Sequence, residues 1–276
     1  MAAVDYIELG KQVRRDVVHM LITSGRGHIG SAFSIVEILN VLYEKVLKFD
    51  AKKPKWENRD RFILSKGHGC LSFYSVLARK GYFDKKELDL FCREDGILGG
   101  HPEASKVPGV EASTGALGHG MSLGLGMAMA ARIDKKDYRV FVTVGDGECN
   151  EGTVWECAMS AAKNQADNFI VIVDYNKYQS YGPTSEVLNL EPFTDKWAAF
   201  GFDVFEANFE GDMGPASSAF EDILLNKMDY KNKKPKVVIC HTIKGKGIPM
   251  CENNLNWHHK NKVSDEEAKA LYDALK

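Results

Sequence analysis

Two short groups of residues carry oxygen ligands at a telling distance. Gly145-Asp146-Gly147 opens the stretch "GDGECNEGTVWECAMSAAKNQADNFIVIVDYN", and Asp174-Tyr175-Asn176 closes it. The turn follows "RVFVTV" (139–144), a continuous apolar run of the kind buried on both faces of a sheet. A strand-turn-helix unit leaves backbone N–H groups facing outward at the helix start, where anions settle. The glycines Gly145 and Gly147 let a ligand approach the backbone closely. Asp146 would repel a bare phosphate but suits a hard divalent cation, Mg²⁺ or Ca²⁺. The second strand, "NFIVIVD" (168–174), ends just before Asn176. Adjacent parallel strands bring their carboxyl ends together, so Asp146 and Asn176 are expected to share one ion, with the Tyr178 carbonyl as a further oxygen. The chemistry implied is a metal bound to a diphosphate.

The elements that must position these residues alternate. Helical periodicity runs over Val4–Ser24 and stops at Gly25, and a second amphipathic helix is expected over Ser34–Lys48. "RFILS" (61–65) reads as a strand, 71–80 as a helix, and 95–120 as a long loop. "MSLGLGMAMAAR" (121–132) is a helix whose small residues suit close approach to another backbone, and 152–165 is a further helix. "FDVFEA" (202–207) and "KVVICHT" (236–242) read as two more buried strands, with a helix over 214–227 between them. Buried strands alternating with helices predict an α/β fold, a parallel β-sheet with helices on both faces. The tail from Ser264 to Lys276 begins with a capping box, Ser264 to Glu267. The expected organisation is one domain over 1–263 and a C-terminal helix over 264–276.

The 276 residues are 44% hydrophobic and 27% charged, which is ordinary for a chain with a full core. A net charge of −2 gives no basic field for nucleic acid. No apolar run approaches the roughly 18 residues that cross a bilayer, so no membrane partner is expected. The N-terminus lacks the apolar core of a secretory signal. Six cysteines are scattered without CxxC or metal-ligand spacing, which points to a reducing, cytoplasmic setting.

Further segments narrow the reading. "SGRGHIGSAFS" (24–34), "NRDRFILSKGHG" (58–69), "GGHPE" (99–103), "TGALGHG" (114–120), "IKGKG" (243–247) and "NWHHK" (256–260) occur in that order around "GDGECNEG…VDYN". Together they resemble the transketolases, and specifically the N-terminal, diphosphate-binding portion of a full-length enzyme. The resemblance implies a thiamine diphosphate-binding fold and thiamine diphosphate as cofactor. It also implies transfer of a two-carbon ketol unit from a ketose phosphate, such as xylulose 5-phosphate, to an aldose phosphate. By the same resemblance His28, His68, His101 and His258 are active-site histidines, a residue type suited to proton transfer near neutral pH. His28 and His258 would meet the substrate's reacting oxygens, and His68 would also touch the diphosphate. Gly115, Leu117 and Gly118 would pack on the cofactor, Lys244 would hold the diphosphate, and Glu151 would lie in a carboxylate network between two active sites. A helix-start acid and a solvated lysine are the plainer readings of Glu151 and Lys244.

Three positions depart from the family pattern: His119 where glutamine is common, His259 where glycine is usual, and Arg26 where a small or uncharged residue is frequent. An arginine near the substrate mouth could meet a phosphate or sulfonate, which keeps a branched or sulfonated sugar open as substrate. The pyrimidine-binding and C-terminal domains of the family are not in the sequence. They are expected on a separate C-terminal transketolase subunit, in an α2β2 heterotetramer. A non-catalytic thiamine diphosphate-binding protein is the competing reading.

Overall fold

The computed structural model describes residues 4–276. Helix α1 (Tyr6–Ser24) starts where the Asp5 side chain accepts from the Glu8 N–H at 3.0 Å. It ends where Gly25 turns left-handed, at φ 68°, and donates to the Leu21 carbonyl at 2.9 Å. The helix expected over 34–48 is α3 (Val36–Val41) running on into one π-helical turn (Leu42–Val46), and a short helix that the sequence did not suggest, α2 (Ile29–Phe33), precedes it. Residues 29–43 are enclosed on every side, so the polar residues there turn inward to partners instead of facing water. Glu37 takes a fork of two bonds from buried Arg14, at 2.7 and 3.0 Å. An ion pair so placed holds only with such bidentate geometry.

Strand β1 (Arg61–Leu64) leads through a 3₁₀ turn (Gly67–Gly69) into α4 (Cys70–Arg79). After a 3₁₀ segment (Lys85–Leu90), the chain runs without helix or strand to α5 (His119–Ile133). Strand β2 (Val140–Gly145), α6 (Gly152–Lys163) and β3 (Phe169–Tyr175) follow, then two short helices that the sequence did not suggest, α7 (Thr184–Val187) and α8 (Phe193–Ala199). Strand β4 (Asp203–Asn208), α9 (Met213–Asp222), β5 (Lys236–His241) and α10 (Asp265–Asp273) complete the chain.

The five strands pair in parallel in the order β1-β2-β3-β5-β4. Their side chains alternate between two cores, as the two-residue period requires. Phe141, Ile170 and Ile172 face α1–α4, α9 and α10, while Val140, Val142, Val171 and Val173 face α5, α6 and α8. Strand β4 corrects one expectation: it lies at the sheet edge and, of its six residues, only Ala207 is buried. The C-terminal helix carries the expected capping box and docks on α1 through buried Leu271 and Leu275. Among the described residues no helix is long and apolar enough to cross a membrane.

Candidate active site

The carboxyl ends of β1, β2, β3 and β5 meet at one rim. Gly145 pairs with Asp174 in the sheet register, and the Asp146 N–H continues the ladder to the Asp174 carbonyl at 3.2 Å. Both Asp146 oxygens are fixed by backbone: Oδ1 accepts from the Gly147 N–H at 2.7 Å and Oδ2 from the Lys177 N–H at 2.5 Å. Burial, with Asp174 nearby, pushes the Asp146 carboxyl up to about 7. Asn176 donates through Nδ2 to Asp174 at 2.9 Å, and its Oδ1 accepts from the Tyr178 N–H at 3.1 Å. Asp146 and Asn176 thus sit side by side at the floor of one cavity. The Tyr178 carbonyl accepts from Lys244 Nζ at 3.1 Å, as does the Gln179 carbonyl at 3.2 Å. A carbonyl has a second lone pair, so the lysine does not bar a cation from it. Burial lowers the Lys244 ammonium to about 8, with the Lys66 charge adding to the effect.

Beneath this floor lies a buried ion pair that the sequence reading missed. Lys66 bonds Asp174, which also accepts from Thr242 and, at 2.7 Å, from Ser34. Burial alone would raise the Asp174 carboxyl, but Lys66 and these hydrogen bonds outweigh it and hold it below the usual range. One carboxylate therefore ties β3 to the ends of β1 and β5 and to the α2–α3 junction. Glu148 does the same on the other side, accepting from Ser65, from the Gly118 N–H at 2.8 Å and from the Gly145 N–H at 3.0 Å. Both residues sit inside motifs, Lys66 in "SKGHG" and Glu148 in "GDGEC". The only signal was an ionisable residue flanking a buried strand end.

Four histidines converge above the floor. The His28 ring centroid lies 5.4 Å from that of His68, 6.2 Å from His101 and 5.5 Å from His258. His259, which the sequence marked only as a departure, joins them at 4.6 Å from His28. Burial, then the neighbouring imidazoles and the Lys244 and Lys66 charges, lowers His28 to about 4. Burial and Lys244 lower His258 to about 3. Burial and Lys66 hold His68 well below its ordinary value, and burial lowers His101. Each shift favours the neutral ring, which offers one N–H and one lone pair. His258 Nδ1 is buried and has no partner among the described residues.

These residues line one cavity of about 420 Å³, within the ordinary range for a small-molecule site. Of the expected site residues, His28, His68, His101, His258, Gly115, Leu117, Gly145, Asp146, Gly147, Glu151, Asn176, Tyr178 and Lys244 all line it. Gly118 lies one layer back. It adopts φ 82°, and a Cβ there would collide with Thr153 and stand 3.0 Å from Glu151 Cβ. Gly115, at φ 140°, leaves no room for a side chain beside the His101 ring, 3.0 Å away. Glu151 is exposed at the cavity mouth, next to the start of α6. His119 faces outward at the start of α5. His19 and His241 do not line the cavity and pair with Asp89 at 2.6 Å and Glu206 at 2.7 Å.

The donor set is all oxygen: one buried carboxylate, one amide and one backbone carbonyl. Among the described residues no three His, Cys, Asp or Glu side chains cluster to hold a metal by themselves. Such a set fits a hard cation that draws its remaining oxygens from a diphosphate and water. The glycine turn, the Lys244 ammonium and the unpartnered His258 nitrogen fit the diphosphate and the reacting end of the same ligand.

Comparison with known proteins points the same way. Residues 7–275 match the family described as transketolase, thiamine diphosphate binding domain. An apulose-4-phosphate transketolase subunit of Phocaeicola vulgatus is 41% identical over 271 residues, covering 97% of this chain and 93% of that one. A 6-deoxy-6-sulfo-D-fructose transketolase subunit of a Clostridium species is 37% identical over 254 residues, covering 91% and 89%. A transketolase mutant of Pichia stipitis, solved with fructose 6-phosphate, superposes with a TM-score of 0.87 at 27% identity over 98% of this chain. The present chain spans 40% of that protein's length.

Proposed function

The chain belongs to the transketolase family, whose thiamine diphosphate-binding domain it matches over nearly its whole length, and on that premise we propose that it is the diphosphate-binding subunit of a two-chain transketolase. The observation that carries the reading is the convergence of His28, His68, His101 and His258 over Asp146 and Asn176 in one cavity. Asp146, Asn176 and the Tyr178 carbonyl would hold Mg²⁺, or Ca²⁺, against the diphosphate. The Gly145–Gly147 turn, Lys244 and His68 would seat the diphosphate itself, while Gly115, Leu117 and Gly118 form the wall behind. Thiamine diphosphate supplies, when bound, the carbon nucleophile and electron sink for cleaving a ketose between its second and third carbons.

The chain's own contribution is proton handling and orientation. A neutral imidazole can take a proton from one sugar hydroxyl and return it to a carbonyl oxygen. His28, whose ring neighbours the other three, and His258 are suited to the reacting oxygens, with His68 and His101 fixing the donor. The buried Lys66–Asp174 pair and Glu148 keep the loops that carry these groups in register. The relatives from Phocaeicola and Clostridium are named for a phosphorylated sugar and a sulfo-sugar. A sugar ending in one of those anions is the substrate class that suits this chain.

Several features support a partner. The chain covers 93% of a relative named as a transketolase subunit, but 40% of a full-length transketolase. Helices α5 and α6 leave Leu123, Ile133 and Met159 exposed, an apolar face suited to a second polypeptide. That polypeptide would carry the pyrimidine-binding domain and the glutamate that activates the cofactor, and Glu151 would meet it at the mouth, in an α2β2 assembly. The six free cysteines suit a reducing, cytoplasmic setting.

Reconstitution tests the reading. This chain, its co-purifying partner, thiamine diphosphate and Mg²⁺ are supplied with xylulose 5-phosphate and ribose 5-phosphate. Product from the pair, and from neither chain alone, is the expected result. Equal product from this chain by itself would refute the two-chain reading.

A further inference from the structure

The net charge of −2, which by itself argues against nucleic acid, conceals a separation of sign. The segments that lead into β1, β2, β3 and β5 (48–60, 132–139, 163–168 and 227–236) hold 15 Lys and Arg against 7 Asp and Glu, and the rest of the chain holds 21 against 31. In a parallel sheet every strand starts at the same end, and the register aligns Arg61 with Val140, Val140 with Phe169, and Ile170 with Lys236. The four segments are therefore neighbours, at the end of the sheet opposite the histidine cavity. The length of β2 puts about 20 Å between the two ends.

The cations of this face differ in kind. The arginines are spent on the protein: Arg59 forks onto Glu111, Arg139 bonds Asp60 and the Val46 carbonyl, and Arg132 bonds the Asn164 and Gln165 carbonyls. The lysines are not. Lys48, Lys52, Lys53 and Lys55, before β1, are exposed. So are Lys135 before β2, Lys163 before β3, and Lys231 and Lys233 before β5. None of these ammonium groups has an ion pair or hydrogen bond among the described residues; where Lys48, Lys52 and Lys231 do bond, it is through the backbone N–H. Elsewhere lysines are mostly tied: Lys80, Lys85 and Lys260 hold carboxylates, and Lys11 and Lys246 hold carbonyls. Like charges gathered at one end repel one another, a cost that even spacing over the surface would avoid.

The side chains of this face also say what it would take. Lysine is a point charge without the planar fork that reads a base edge. The rings of these segments are already covered: Phe49 stacks with Tyr82, Trp56 lies beneath Lys48, Tyr138 beneath Arg61 and Tyr230 beneath Arg139. That leaves no free platform for the unstacked bases of a single strand. Ile133 is the one large apolar side chain exposed in these segments among the described residues, a poor anchor for a bilayer. What remains is attraction to a dense row of negative charge. Adjacent strands lie about 4.8 Å apart, so the row from β1 to β5 is about 14 Å long. Over that length a nucleic-acid duplex presents about eight phosphates, and about half of them face one side.

We infer that the amino-end face of the sheet binds the phosphodiester backbone of a nucleic-acid duplex without reading its sequence. Phosphate contacts position a protein on a duplex and carry no sequence information. The bound duplex sits at the end of the chain that the histidine cavity does not use.

The test is fluorescence anisotropy of the full chain with a labelled DNA duplex of about 20 base pairs, from about 50 to about 200 mM salt. The expected Kd is about 10⁻⁶–10⁻⁴ M near physiological salt, equal for two unrelated sequences. The log–log salt slope should be about −3 to −4, a loss of about 100-fold over that range. The double variant Lys53→Gln, Lys233→Gln should bind at least about 10-fold more weakly at the lowest salt, with a slope nearer zero by about 2. Lys86→Gln, Lys262→Gln, two exposed lysines outside these segments, should bind as the native chain does. Thiamine diphosphate with Mg²⁺ should leave the duplex in place. No binding, or an equal loss in the two double variants, overturns the inference. So does displacement by thiamine diphosphate, which would put the duplex in the diphosphate cavity. Tighter binding to vesicles rich in phosphatidylserine than to the duplex would overturn it too, in favour of a membrane surface.

Discussion

At the scale of single residues, the site rests on charges that burial would forbid if they stood alone. Lys66 and Asp174 are almost wholly enclosed and satisfy each other. Removing one partner of such a pair leaves an uncompensated buried charge, which costs about 3–5 kcal/mol. Lys66→Met is therefore expected to lower the unfolding free energy by about that much in denaturant titration. A change below about 1 kcal/mol would mean that Asp174 is held by Ser34, Thr242 and Asn176 alone. Asp146→Ala should weaken metal-dependent binding of thiamine diphosphate by at least about 100-fold in calorimetry, while the fold, read by circular dichroism, stays.

The histidines make a pH prediction with a definite sign. His28 and His258, at about 4 and 3 in the fold, titrate near 6.5 when unfolded. Between these values the unfolded chain binds more protons, so their contribution to stability is present above pH 6.5 and falls away as pH drops toward 4. Asp146, pushed up to about 7, acts in the opposite direction over an overlapping range. The difference between the native chain and the double variant His28→Asn, His258→Asn isolates the imidazoles. That difference should shrink as pH falls from about 7 to about 4; if it stays constant, the rings are not held neutral by the fold.

The residues with family spacing were legible as a group: the glycine turn, Asn176 and the four motif histidines line one cavity. Lys66 and Glu148 were not singled out, and Asp174 was noted only as the end of the second strand, without its buried partner. An ionisable side chain next to a strand looks the same in sequence whether it points to water or into the core, and only the tertiary partners decide it.

At the scale of elements, strands buried on both faces and well-capped helices were read correctly because their signal is local. The Ser34–Lys48 helix was read in the right place, over 36–46, but as amphipathic; its polar residues find internal partners, which periodicity cannot register. Strand β4 was read as buried because its apolar residues say nothing of its place at the sheet edge. Helix α5 shows how small residues set an approach. A Cβ on Gly124 would collide with Val142 on β2, and one on Gly126 would meet open space. Gly124→Ala should destabilise by about 1–3 kcal/mol, whereas Gly126→Ala should be neutral or stabilise by up to about 1 kcal/mol. Equal effects in thermal unfolding would show that α5 does not pack on the sheet through Gly124.

At the scale of the whole molecule, the account needs a second chain. If α5 and α6 form the contact, replacing exposed Leu123 and Ile133 with glutamate should leave this chain folded and lower the mass of its mixture with the partner chain in light scattering. An unchanged mass would move the interface elsewhere. The central claim, movement of a two-carbon unit by this chain with its partner, is tested most directly by isotope. A ketose phosphate carrying ¹³C at its first two carbons is given to the reconstituted complex with unlabelled aldose phosphate, and products are weighed by mass spectrometry. The account predicts a new ketose two carbons longer than the acceptor, carrying both labels, and an aldose two carbons shorter than the donor, carrying none. Label recovered as carbon dioxide, or retained in the donor while the cofactor stays bound, would contradict it.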